Sequence, residues 1–271
     1  MSSVPACRPL FATGSAMVAN LLRGEVRPAV VLGAFPTATY LRLAGGDVLA
    51  VLTRDAVRLP LGLSLSTDST DDPLDRWAGP ILVGASCVQR AARTVRLSRV
   101  VSVSAPRNVR PERHAVAQAR VRLSGLGPPD PGLRLLDVLA DGPGEAEAVV
   151  ARLLGLGPGL TPSGDDALAG FLVGAWSFGL AADRLRAAVL EAAPTGTTEL
   201  SAALLRCASR GESIPQVSGL VRALSEHADL HPRVDDALSE LGRVGHTSGV
   251  ALAAGVVAAA QAAAGTGWTR A

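Results

Sequence analysis

The stretch PAVVLGAFPTATYLRLAGGDVLAVLT, residues 28–53, sets the fold class. Residues 28–39 and 39–43 are β-branched or apolar, as strands require. Gly45, Gly46 and Asp47 supply a turn, and 48–53 resumes the strand pattern, so a hairpin is expected. Working outward, 56–66 (AVRLPLGLSLS) alternates around Pro60, which cannot donate to a ladder and points to an edge strand. Residues 81–84 form a short run of buried type. Residues 95–104 alternate with one break at Val100 and Val101, where a bulge is expected. On the other side, 10–23 reads as one helix. Strands that succeed one another without intervening helices favour an antiparallel sheet or small barrel over a doubly wound sheet.

The segment GLGPPDP, 125–131, is the strongest linker signal, and beyond it the period becomes helical. Helices are expected over 132–139, 144–154, 166–180, 182–192, 198–209, 216–225, 233–241 and 248–264. Gly211 falls where a left-handed residue would end one of them. The fold class is therefore α+β. A β-rich N-terminal half with one helix occupies 1–125, and a helical C-terminal half occupies 132–271.

Composition narrows the function. The chain has 271 residues, 48% of them hydrophobic, enough for one large or two modest cores. Arginine supplies all 26 basic residues against 24 acids, for a formal net charge of +2 without basic blocks. That balance, with aromatics at only 3%, argues against nucleic-acid binding. The absence of lysine excludes Schiff-base chemistry and lysine-dependent phosphate loops. Cys7, Cys87 and Cys207 are scattered and odd in number, which fits a reducing compartment; with no apolar leader, a cytoplasmic protein is expected. The uncharged runs 167–182 and 249–264 fall short of a membrane span and read as buried helices.

The most informative motif is GLGPGLTPSGDD, 155–166, running directly into an apolar helix. Gly155, Gly157, Gly159 and Gly164 let backbone approach a ligand. Free amides at a helix start attract an anion, and Thr161 and Ser163 add hydroxyls. Asp165 and Asp166 would repel that anion unless Mg²⁺, an arginine or a substrate amide lies between. Ser163 with Asp166 also fits a capping box, S-x-x-D, which serves only the fold. On that phase Asp166 reaches back to the cap, and Asp165 is free to face a substrate amide or hold Mg²⁺. Capping alone leaves four glycines and two prolines unexplained.

Two further helix starts repeat the pattern. GRVGHTSG, 242–249, offers His246 as a general acid or oxyanion donor, with Thr247 and Ser248 beside it; its structural alternative is a cap with a packed histidine. TGTTE, 195–199, offers Thr197 and Thr198, either of which serves equally as an N-cap. Three hydroxyl-rich starts in one helical half can converge on one anionic site. Other features point to structure. His227 and His231 have zinc-like spacing, but no glutamate follows His227 and Pro232 follows His231, so a solvated loop is expected. Residues 66–72 read as an exposed loop and Cys87 as core.

The segments 155–174 (GLGPGLTPSGDDALAGFLVG), 197–212 (TTELSAALLRCASRGE) and 245–257 (GHTSGVALAAGVV) together resemble the AllH family. Its namesake is described as one subunit of a three-component oxamate carbamoyltransferase of bacterial allantoin breakdown. The resemblance implies carbamoyl transfer between oxamate and phosphate, with oxalurate and carbamoyl phosphate as the other pair, alongside sister subunits. Such a reaction needs sites for phosphate and carboxylate and donors for an oxyanion, but no covalent nucleophile. Gly157, Gly159, Thr161, Ser163, Gly164, Asp166, Thr197, Thr198, Thr247 and Ser248 are the candidate binding residues, with Asp165 and His246 as catalytic candidates. No metal ligand set is assigned, and Mg²⁺ is the one cofactor kept open. The Ser-x-Arg-Thr signature of better-known transcarbamoylases is absent, so a different site is implied. A non-catalytic partner subunit and a small-molecule kinase stand as alternatives.

Overall fold

The computed structural model describes residues 9–91, 93–125, 134–225, 233–265 and 267–268. The chain divides into two compact units, one ending at Val103 and the other beginning at Ser104.

The first unit is a closed barrel. Its strands are β1 (Leu10–Gly14), β2 (Arg27–Ala34), β3 (Ala38–Leu43), β4 (Val48–Leu52), β5 (Gly62–Leu65), β6 (Ile81–Gly84), β7 (Cys87–Arg90) and β8 (Arg93–Val100), with α1 (Ala16–Leu21) after β1. They pair around the barrel in the order β1-β5-β4-β3-β2-β6-β7-β8. The 28–53 stretch supplies β2, β3 and β4, but the first break falls at 35–37, where Phe35 and Ala38 exchange backbone hydrogen bonds. Leu41, Leu49, Leu63, Val83 and Val95 face inward with Val18 and Leu22, and all are fully buried.

The small barrel is as expected, and three details are corrected. Residues 10–23 are not one helix: Gly14 ends a strand, and Ser15 caps α1 by accepting from the Val18 amide at 3.2 Å. The sheet is mixed, since β1–β8 and β4–β5 run parallel while the other neighbours run antiparallel. Nor is β5 an edge; it pairs on both sides, and Pro60 lies before it. The bulge sits at Ser98 rather than at Val100 and Val101, because Ala12 pairs with Leu97 and Thr13 with Arg99. The Ser98 hydroxyl donates to the Ala12 carbonyl there, at 3.1 Å.

The second unit is helical: α2 (Arg113–Ser124), α3 (Leu135–Asp141), α4 (Ala146–Leu153), α5 (Ser163–Phe178), α6 (Asp183–Gly196), α7 (Glu199–Ala208), α8 (Pro215–Ala223), α9 (Val234–Gly242) and α10 (Ser248–Ala264). α2 was not expected, and the linker stretch beyond Gly125 lies outside the described residues. Gly211 is left-handed, with φ of 71°, as expected of a residue just past α7. The centre of the unit is the α5–α10 pair. A Cβ on Gly170 would lie 2.1 Å from the Leu252 carbonyl oxygen, and one on Gly255 2.1 Å from that of Ala167. Only glycine lets these backbones touch, so two long small-residue helices pack nearly without side chains between them. Both uncharged runs are accounted for by these helices, and no helix among the described residues is long and apolar enough to cross a membrane.

Candidate functional site

The loop between α4 and α5 is built around Asp165. Gly155 turns with φ of 74°, and any Cβ there would sit 2.4 Å from the Gly196 carbonyl oxygen. Its amide donates to Asp165 Oδ1 at 2.7 Å. The hydroxyls of Thr197 and Ser201 both donate to Asp165 Oδ2, the latter at 2.6 Å. Three donors thus bond the carboxyl of a residue that is 1% exposed. Thr198 adds a second link: it caps α7 by accepting from the Ser201 amide at 3.1 Å and donates to the Leu160 carbonyl at 2.5 Å. The start of α7 is therefore stitched to the loop.

The start of α10 is joined to it from another side. Ser248 Oγ lies 3.2 Å from Thr161 Oγ1. Asp166 is buried, and its Oδ2 has no hydrogen-bond partner among the described residues. Burial pushes its carboxyl up to about 7, and the neighbouring Asp165 charge adds to that rise. The three helix starts are thus brought together by specific bonds: Asp165 and the Leu160 carbonyl to the start of α7, and Thr161 to Ser248 at the start of α10.

The inward bonds fall to Asp165 rather than to Asp166. The capping box does not form, because Pro162 stands at the N-cap and Ser163 is the first helical residue. Proline has no amide to satisfy, and its extended backbone (φ −52°, ψ 142°) leads straight into the helix. Ser163 donates instead to the Leu156 carbonyl, at 3.3 Å. The helix starts earlier than 166, and Asp165 rather than Asp166 turns back into the fold.

The supply of free amides is also smaller than expected. Gly164 donates to the Leu156 carbonyl at 2.9 Å, and Asp165 and Asp166 donate to that of Pro162 at 3.0 and 3.1 Å. A Cβ on Gly164 would lie 2.0 Å from the Leu153 carbonyl oxygen, so that glycine serves packing. Among the described residues, no protein acceptor takes the amides of Gly157, Gly159, Leu160 or Thr161. The donors on offer therefore belong to the loop rather than to the helix end.

His246 and Thr247 are exposed on the turn before α10, and Thr247 makes no side-chain cap bond. The packed-histidine alternative does not hold. Ser201 was missed; the sign of it was T-x-x-S from the capping Thr198, which brings two hydroxyls to one end of a helix. No group of three or more His, Cys, Asp or Glu side chains gathers among the described residues, and His227, His231 and Cys7 lie outside them. Cys87 is core, and burial pushes the Cys207 thiol up to about 12, far from a nucleophile. The 66–72 segment is tied down by Arg54 to Asp68 and by Asp55 to Ser69. A cleft of about 230 Å³ opens at the other end of α5, lined by Arg107, Trp176 and Arg186 among others, and shares no residue with the loop.

No solved structure matches the chain. The model of the family described as oxamate carbamoyltransferase subunit AllH matches residues 153–260. That span runs from the end of α4 into α10 and takes in the loop, both acids and all three helix starts. Residues 153–260 of the second unit are thus similar to the family of oxamate carbamoyltransferase subunit AllH.

Proposed function

We propose that the protein is a subunit of a carbamoyltransferase, that its 157–161 loop binds the anionic group of carbamoyl phosphate, phosphate or an oxamate-like acid, and that sister subunits complete the enzyme. The observation that carries this reading is the bonded convergence of three helix starts on one glycine-rich loop inside the AllH region. The amides of Gly157, Gly159, Leu160 and Thr161 and the hydroxyls of Thr161, Thr247 and Ser248 supply donors for an anion or a developing oxyanion. His246, exposed beside them, supplies a further donor or acid. Asp165, with Thr197, Thr198 and Ser201, holds the loop in shape, and so is a positioning residue in this reading.

Calorimetric titration with phosphate and carbamoyl phosphate tests the site. Wild type should bind, and a Gly159→Val plus Ser163→Ala variant should bind at least tenfold more weakly. Equal binding by both would refute the assignment. Turnover of carbamoyl phosphate only after sister subunits are added supports the complex, and ATP hydrolysis by the isolated chain would favour a kinase instead.

A further inference from the structure

We propose that the cleft at the far end of α5 is a second ligand site, which takes a small organic carboxylate with an apolar body and holds it by Arg107 and Arg186 beside Trp176. The site shares no residue with the 157–161 loop and owes nothing to the carbamoyltransferase reading.

The segment before α2 is pinned on both sides of a turn. The Ala105 amide donates to the Gly211 carbonyl at 2.8 Å, and the Val109 amide donates to that of Ser177 at 3.0 Å. Between these anchors Asn108 adopts φ of 59°, a left-handed conformation that asparagine tolerates better than most residues. The turn carries the Arg107 guanidinium over the Trp176 ring, 4.3 Å from its centroid. The ring is fixed from its other side. Gly211 is left-handed, and a Cβ there would lie 2.3 Å from Trp176 Cδ1, so only glycine leaves room for the indole. A guanidinium over an aromatic face still offers its N–H donors to a ligand. Arg107 makes no ion pair among the described residues, so its charge is unmatched there.

Charge and shape select the ligand. Arg186 reaches the cleft from α6 and donates to Asp183 Oδ1 at 2.6 Å. Two arginines against one aspartate leave the lining with a single positive charge, which suits a monoanion better than a phosphate dianion. The first turn of α6 opens on the same cleft without a side-chain cap among the described residues, and its dipole favours an anion. Leu172, Ala175, Leu180 and Ala182 give an apolar wall. A planar carboxylate fits the guanidinium fork, and an apolar body fits that wall. At about 230 Å³ the cleft is smaller than the ~300–1,000 Å³ of drug-sized sites, so the ligand is small. Gly179 has open space where a Cβ would stand, which keeps this part of the lining clear. Arg107 and Asn108 lie outside residues 153–260, so the family match covers only one side of the cleft.

Benzoate is the probe, with benzamide as its neutral match and acetate as a carboxylate without the apolar body. The full chain has three tryptophans, and so three indole N–H signals in a heteronuclear correlation spectrum. The signal lost in Trp176→Phe, and displaced when Arg107→Gln takes the guanidinium off the ring, reports the cleft. Benzoate should shift that signal saturably and leave the signals of Trp77 and Trp268 in place. Benzamide and acetate should bind about tenfold more weakly or worse. Arg107→Gln should weaken benzoate binding about tenfold, and Arg186→Gln about threefold, because Arg186 already has a partner. Both arginines are exposed, so these variants keep the fold, which the unmoved Trp77 and Trp268 signals check. Phosphate, the probe of the 157–161 loop, should not displace benzoate. The proposal is overturned if benzoate gives no saturable shift at Trp176, if benzamide or acetate binds as well, if Arg107→Gln leaves the affinity unchanged, or if phosphate displaces benzoate. Binding of benzoate without any binding of phosphate would strike the loop reading and leave this site standing.

Discussion

In the barrel, Leu41, Leu49 and Leu63 fill the interior with branched side chains that are fully buried. Between α5 and α10 the reverse holds: Gly170 and Gly255 bring backbone against backbone, with no room for a methyl group. One region is held by volume present and the other by volume absent. The first is damaged by deleting atoms, the second by adding them. The contrast also bears on function, because the stiff α5–α10 pair presents its two helix starts, and with them Asp166, Ser248 and the loop, at one end.

Gly255→Val should break the contrast most severely. Its added atoms meet the Ala167 carbonyl and the Phe171 amide, which cannot move aside, so a loss of ~4 kcal/mol or more is expected in chemical denaturation. Leu49→Ala in the barrel should cost about 3 kcal/mol through its cavity, while Gly255→Ala and Leu49→Val should reverse the usual ranking of mild and harsh changes. A tolerated Gly255→Val would mean the helices are not locked by their backbones.

The same contrast sorts what could be read from the sequence. Alternation exposed β2, β3 and β4, because a barrel strand shows one buried and one outer face. β1 was hidden: LFATG is too short to show a period, and its partners β5 and β8 lie far along the chain. α2 was hidden because RHAVAQARVRLS buries only Ala115, Val116 and Ala119 on a polar helix. Glycine and hydroxyl spacing gave the three helix starts and the loop. It did not give the phase of α5. Which acid bonds inward turns on whether Ser163 or Pro162 ends the loop, and adjacent residues on a helix point about 100° apart. That single step gives the inward bonds to Asp165 instead of Asp166.

Smaller effects sharpen the comparison at the site. Asp165→Ala strands three donors and should cost ~3 kcal/mol, and Asp165→Asn ~2 kcal/mol, measured by urea unfolding near neutral pH. Asp166 carries a different signature. Its folded carboxyl holds a proton up to about pH 7, whereas its unfolded value is 3.8. The folded state then binds more protons between those limits, so stability falls as pH rises from about 4 to about 7. Asp166→Asn removes this loss. The variant should gain ~2–3 kcal/mol relative to wild type on moving from about pH 5 to about pH 8. A constant difference across that range would show that folding leaves the titration of Asp166 unchanged there, against this account.

The division of labour between the two acids is the central claim, and paired melting curves test it most directly. Wild type, Asp165→Asn and Asp166→Asn are melted at about pH 8, with and without phosphate. Asp165→Asn should melt several degrees lower in both conditions. Asp166→Asn should melt at or above wild type, with a phosphate-induced rise no smaller than that of wild type. A lowered melting temperature for Asp166→Asn, together with an unchanged one for Asp165→Asn, would contradict it and return the structural role to Asp166.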